Sequence, residues 1–217
     1  MPATDTSYQL LTLFRDGGFM MFPLVLCSLI ALGVIIAKGW TLYVAHRDSA
    51  RLLEEIEALG SAGRVEEALK RAEDTRGPVA AILLAGLLRV LERHTGKDVE
   101  KAISTTGSIE LDFLERGLVV LATVANVAPM LGFLGTVIGM ISAFAAIEAA
   151  GQVEPSLVAS GIKVALITTA AGLTIAIPVN VAYNYFVTRV DMLIADMEKG
   201  AQAVLDLIWQ IESGRAA

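Results

Sequence analysis

The chain has 217 residues, of which 55% are hydrophobic and only 18% charged, and its mean hydropathy of +0.63 excludes an ordinary soluble domain. A net charge of -6, with no basic stripe carrying interleaved aromatics, argues against nucleic acid as the ligand. One cysteine, Cys27, and two histidines in separate segments, His46 and His94, exclude an intrachain disulfide and argue against a metal site.

Residues 1–16 carry no early basic cluster, and the first cation is Arg15, which does not fit a cleavable signal peptide. Tyr8, Leu10, Leu11, Leu13 and Phe14 fit a short helix lying at a membrane surface; a frayed terminus fits them equally. The first span is drawn at 17–44. Its stretch Gly17–Ala37 is uncharged and long enough to cross a bilayer, and Pro23 falls in the first turns, where a missing N–H is tolerated. Lys38, Trp40 and Tyr43 read as an interfacial collar at its far end.

From 45 to 115 the chain turns soluble and helical. Leu52, Leu53, Ile56 and Leu59 recur at helical spacing until Gly60-Ser-Ala-Gly63 breaks the run. Val65–Asp74 reads as a short amphipathic helix, and Gly77-Pro78 restarts the chain with proline at a first helical position. A helix over 79–93 should end at His94-Thr-Gly96, and Asp98 should cap a helix that runs on into the second span.

The second span, 116–148, and the third, 161–188, flank a short turn at 149–160 marked by Gly151 and Pro155. No charge occurs between Arg116 and Glu148. The stretch Pro129-Met-Leu-Gly-Phe-Leu-Gly-Thr-Val-Ile-Gly-Met-Ile-Ser-Ala-Phe144 holds Gly132, Gly135 and Gly139, costly in a soluble helix but suited to close backbone approach in a membrane. Its counterpart is Gly161-Ile-Lys-Val-Ala-Leu-Ile-Thr-Thr-Ala-Ala-Gly-Leu-Thr-Ile-Ala-Ile-Pro-Val-Asn180. There Thr168, Gly172, Ala176, Asn180 and Asn184 fall on one i+4 line, and Pro178 is expected to kink the helix, its freed carbonyl open to a neighbouring hydroxyl. Residues 189–217 continue as a cytoplasmic helix. Val190, Ile194, Met197, Ala201, Val204, Ile208 and Ile211 form a heptad seam that needs another helix, from the same protomer or the next.

Most Lys and Arg fall between Arg47 and Arg116, whereas the 149–160 connection holds only acid, Glu154, and follows Glu148. The positive-inside tendency therefore places 45–115 and the C-terminal helix in the cytoplasm, with the N-terminus and 149–160 outside. The fold class is all-α membrane protein, with three transmembrane helices and long cytoplasmic helical extensions.

The polar groups inside the two motif stretches are Thr136, Thr168, Thr169, Thr174 and Asn180. A membrane hydroxyl most simply bonds back to the carbonyl one turn earlier, the reading preferred for Thr168 and Thr174. The glycines of 132–139 are not a phosphate loop, because no lysine or aspartate accompanies them. No hydrolase triad or zinc set occurs, so no catalytic residue, metal or cofactor is expected, and no enzyme.

Together the two stretches resemble the ExbB/TolQ/MotA family of ion-driven inner-membrane motors. The family pattern is a proline before Leu-Gly-(Leu/Phe)-(Leu/Phe)-Gly-Thr-Val-x-Gly-Met, then Gly-Ile-x-x-Ala-Leu-x-(Ala/Thr)-Thr-x-x-Gly-Leu-x-x-Ala-Ile-Pro; both halves match, over about 126–184. Three spans place the chain nearer the ExbB/TolQ branch than the four-span flagellar one. The resemblance implies a homopentameric ring in the bacterial inner membrane around two copies of an ExbD/TolR-like single-span protein. Each partner helix then carries an aspartate, and the motion reaches a TonB/TolA-like protein. It reverses the bland reading for Thr136 and Thr169, which match the threonines lining the ion path. Thr168, Asn180, Gly132, Gly135, Gly139, Pro129 and Pro178 are candidates for the path or for helix packing. Val164 stands where many relatives have glutamate, and the neighbouring Lys163 is expected to snorkel to the outer headgroups or pair with Glu148 or Glu154. A sodium-driven motor and a non-conducting scaffold remain alternatives. A secondary transporter predicts inverted repeats and broken helices, and neither is evident.

Overall fold

The computed structural model describes residues 12–92, 94 and 96–212. Among them there is no strand. The helices are α1 (Met21–Ser61), α2 (Val65–Asp74), α3 (Pro78–Leu91), α4 (Gly96–Glu115), α5 (Leu118–Ala150) and α6 (Pro155–Glu212). Three helical stretches are long and apolar enough to cross a membrane, so the all-α membrane class stands. Tyr8, Leu10 and Leu11 of the expected surface helix lie outside the described residues; 12–16 are helical and lead into a tight turn at Gly18–Met20.

The chain divides into two compact units. The first comprises residues up to Ile36 together with Leu118–Asn184. Its α5–α6 contact is made of small residues: Gly132, Gly135, Gly139, Ala128 and Ala143 of α5 are buried, as are Ala165, Thr168, Gly172 and Ala176 of α6, while Leu24 of α1 and Leu121 of α5 are buried elsewhere in the unit. Its large side chains point outward, among them Phe133, Ile141, Phe144, Leu166 and Ile177. That inversion is what hydrocarbon solvent favours, because a lipid tail is as apolar as a leucine. Both helices continue through their internal prolines, Pro129 and Pro178.

The second unit comprises Ala37–Gly117 and the chain from Tyr185 onward. It is built as a water-soluble helical domain, burying Leu52, Leu53 and Ile56 of α1, Leu83 and Leu87 of α3, Ile103 of α4 and Leu193 of α6. Val65–Asp74 forms as its composition predicts, with acids Glu66 and Glu67 in the first turn and Arg71 in the last. Arg71 reaches Glu55 of α1 in a paired contact at 2.5 and 3.1 Å. Gly63 and Gly77, at φ 72° and 134°, make the two reversals on either side of it.

Four expectations need correction in this unit. The helix entering the second span is broken: α4 ends at Glu115 and α5 starts at Leu118, because Gly117 takes φ 88°, a value open to glycine alone at little cost. Gly96 opens α4 rather than ending α3, which stops at Leu91, so Asp98 lies inside the first turn and is not the cap; Arg93 and Thr95 lie outside the described residues. Lys38 is not part of an exposed collar with Trp40 and Tyr43. It is 9% exposed and donates to the Phe113 and Leu114 carbonyls at 3.2 and 2.9 Å, satisfying two of the acceptors a helix C-terminus leaves open. Finally, the seam of α6 is displaced by one residue at alternate positions. Val190, Leu193, Met197, Gly200, Val204 and Leu207 are the buried set, with Ile208 beside them, while Ile194 and Ala201 are half-buried; the Ile211 side chain lies outside the described ones. Gly200 fixes that register, since it admits Leu53 and Leu83 of the same protomer.

Candidate ion-path site on the α5–α6 hairpin

Helices α5 and α6 approach with almost nothing between their backbones. A methyl placed on Gly132 would sit 2.9 Å from the Thr168 carbonyl oxygen, one on Gly139 2.8 Å from the Gly161 carbonyl, and one on Gly172 2.6 Å from the Ala128 carbonyl. Real Cβ atoms do not sit that close, so these glycines set the interhelix distance. Gly135 faces the Thr168 side chain directly.

That contact decides Thr168. It is wholly buried, and its hydroxyl donates back to the Val164 and Ala165 carbonyls, both at 3.0 Å. It fills the space over Gly135 and reaches no solvent. Thr174 likewise bonds back, to Ala170 at 2.8 Å.

Thr169 differs. Its hydroxyl crosses to the other helix and donates to the Gly132 carbonyl at 3.2 Å, the carbonyl that one helical turn later would receive the Thr136 N–H. Thr136, half-buried, donates its own hydroxyl to Phe133 at 2.5 Å. The hairpin thus gathers Thr136, Thr169 and the Gly132 carbonyl at one level, at the rim of the packed face. Both O–H groups are committed to backbone carbonyls, leaving lone pairs outward. In this arrangement the pair accepts a hydrogen bond, as from a water or a protonated carboxyl; donating to a charged carboxylate requires the hydroxyls to rotate off their carbonyls.

The i+4 line through α6 does not hold as a single face. Thr168, Gly172 and Ala176 are buried, whereas Asn180 and Asn184 are exposed. Each i+4 step overshoots a full turn by roughly 40° at 3.6 residues per turn, so three steps carry Asn180 out of the packed face and Val179 takes its place. Pro129 is half-buried and Pro178 exposed. Val164 is half-buried and contributes only its carbonyl.

Lys163 neither snorkels free nor meets Glu148 or Glu154. Its Nζ lies 2.5 Å from Oδ2 of Asp16, tying the start of α6 to the segment before α1, where a methyl on Gly17 would come within 3.1 Å of Ile167. The pair joins residues with no local sequence signal, and only the bare proximity of one acid and one base to span ends hinted at it. Among the described residues no cluster of His, Cys, Asp or Glu could hold a metal ion.

A helical hairpin packed through glycines, with no charge over 117–147 and 164–188 and with Thr136 and Thr169 at its rim, defines a membrane-embedded helical protein with a polar point rather than a solute cavity. Residues 74–199 match the model of the MotA/TolQ/ExbB proton channel family, and the chain belongs to that family. It is 32% identical over 191 residues to the putative biopolymer transport protein ExbB homolog of Methanothermobacter thermautotrophicus, covering 88% of this chain and 67% of that protein. It is 30% identical over 197 residues to the biopolymer transport protein ExbB of Pseudomonas putida, covering 87% and 59%. To the Tol-Pal system protein TolQ of Haemophilus influenzae it is 42% identical over 100 residues, covering 46% and 44%.

Proposed function

We propose that this protein is the ring-forming subunit of a proton-driven motor of the bacterial inner membrane, working with an ExbD/TolR-like single-span partner. The observation that carries this reading is the Thr169 hydroxyl on the Gly132 carbonyl, one turn before Thr136, whose own hydroxyl bonds the Phe133 carbonyl, on a hairpin whose windows 117–147 and 164–188 contain no titratable Asp, Glu, His, Lys or Arg. Such a hairpin holds no proton carrier of its own, and a bare charge at mid-membrane is prohibitively costly. The carrier is then a carboxylate on the partner helix, neutralised by protonation for the buried part of its path. It passes the threonine pair, which accepts its O–H.

In this reading five copies close around two partner helices. Residues 1–16 and 149–160 face outward, and 45–115 and 189–217 the cytoplasm. Thr136 and Thr169 line the path, Thr168 and the glycines set its walls, and the subunit, with Val164 where many relatives carry glutamate, works without an acid there. The work done at the envelope passes through a TonB/TolA-like protein.

The test is reconstitution into vesicles with and without a co-expressed single-span partner carrying an aspartate. The ring alone should be closed, and the complex should carry a proton current that Thr136→Val reduces severely while assembly persists. A sustained current without partner would overturn the carrier mechanism. Equal current in Thr136→Val would return Thr136 to packing, and a sodium-dependent current would make the ion sodium. A complex that never conducts would leave a scaffold.

A further inference from the structure

The second unit holds a cavity of about 550 Å³ that the ion path does not use. Its body is apolar, formed by Trp40 and Val44 of α1, Leu84 of α3 and Phe113 of α4. Its charged lining is Arg76, Glu73 and Glu110. Among the described residues none of these three has an ion-pair or hydrogen-bond partner. Behind the wall lies a second cation, Lys38, bonded to the carbonyls of Phe113 and Leu114, both of which line the cavity. The lining itself therefore carries one cation and two acids around one apolar space.

The depth of this cavity in the membrane follows from its own residues. Trp40 and Tyr43 are 75% and 68% exposed at the end of the apolar stretch Gly18–Ala45, where amphipathic rings sit at the headgroup level. Gly77, next to Arg76, lies against Ala45 at the last turn of that stretch; a methyl on it would be 3.9 Å from the Ala45 backbone. That places Arg76, which lines the cavity, at the level of the aromatic collar.

We infer that this cavity binds a phospholipid with a primary-amine headgroup of the phosphatidylethanolamine type. The acyl ester region fills the slot beside Trp40, Val44, Leu84 and Phe113. The phosphate meets the Arg76 guanidinium, a fork suited to phosphate oxygens, and the ammonium, with three N–H donors, meets Glu110 and Glu73. Charge complementarity selects this occupant. A lining with one cation and two acids suits a headgroup carrying both charges, an anionic glycerol headgroup leaves the two acids without a counter-charge, and a quaternary choline has no N–H to donate to them.

The experiment uses the assembled full-length protein stripped of lipid in detergent. It is titrated separately with dioleoyl phosphatidylethanolamine, phosphatidylcholine and phosphatidylglycerol, and retained lipid is counted by native mass spectrometry. The ethanolamine lipid should be retained about tenfold more tightly than either other, a ratio that one charge-assisted hydrogen bond supplies. Glu110→Gln should erase that preference and Arg76→Gln should weaken retention of all three; both side chains are at least partly exposed, so the fold survives. Leu84→Trp, filling the slot, should prevent retention. Equal retention of the three lipids, or a preference untouched by Glu110→Gln, would overturn the inference. So would an oligomer that binds none of them and dissociates in Leu84→Trp, which would show a second copy seated in the cavity.

Discussion

The α5–α6 hairpin and the second unit bury opposite kinds of residue, and the difference reflects the solvent each kind of packing suits. Along α5 the buried face is Gly132, Gly135, Gly139 and Ala143 while Phe133, Ile141 and Phe144 look out. Along α3 the buried face is Ile82, Leu83 and Leu87, and most charged residues of that unit, such as Glu66, Lys101 and Glu198 but not Lys38, are exposed. In water, hiding a leucine gains roughly 25 cal/mol for each Å² of apolar surface removed. Against lipid tails the same burial gains nothing, and attraction comes from backbones allowed to touch. The α5–α6 hairpin is therefore held by the absence of side chains and the second unit by their presence.

Removing a large side chain should accordingly cost most in the second unit. Leu83 is fully buried, so Leu83→Ala should lower stability by about 2–5 kcal/mol, read as a fall in the denaturation midpoint of the helical signal. The same truncation at Phe133, which is 68% exposed, should move that midpoint little. Equal losses at both positions would mean the first unit also depends on side-chain burial.

Adding a methyl should have the reverse ranking. Gly132→Ala drives a Cβ into the Thr168 carbonyl, a backbone atom that cannot swing away, and should cost about 1–3 kcal/mol through forced separation of α5 and α6. It should also weaken the Thr169 contact with the Gly132 carbonyl. Gly200→Ala meets only the ends of Leu53 and Leu83, at 3.3 to 3.6 Å. It also gains helix propensity of up to about 1 kcal/mol, so it should be neutral or stabilising. A Gly132→Ala protein as stable as the parent would refute the close-packed hairpin.

What was legible in the sequence divides along the same boundary. The hairpin was readable because its signal is compositional: three glycines in an uncharged run have no other good explanation, and the threonines stand beside them. The element Val65–Asp74 was readable because both of its ends are glycine turns. Long-range polar contacts were not. Lys38 and the carbonyl of Leu114 lie 76 residues apart, and a carbonyl has no side-chain identity for a pattern to find. The break at Gly117 was hidden because one glycine after a helix reads as tolerated until its φ is known. The α6 seam slipped for a related reason: a heptad count favours Ala201 over Gly200, yet the smaller residue lets neighbouring leucines in. Asn180 and Asn184 were misplaced by treating four residues as one turn.

The smallest expected effect concerns the exposed charges of the second unit, and it tests whether they contribute at all. The Arg71 guanidinium, hydrogen-bonded to Glu55, holds that carboxyl below its ordinary value against the opposing effect of desolvation, helped by the charges of Arg71 and Arg51. A carboxyl whose folded pKa is depressed adds stability that is present above its unfolded pKa, near 4.3, and lost as pH falls through the folded value. The difference in thermal midpoint between the parent and Glu55→Gln should therefore be constant from pH 7 down to about 5. Below roughly pH 4 it should shrink, vanishing once the carboxyl is protonated in both states. Because both partners are exposed, the difference should be modest and should shrink again in about 1 M salt, where the screening length falls to about 3 Å. A difference that persists unchanged at pH 3 would show that Glu55 acts through the packing of its methylene stem along α1 and not through its charge.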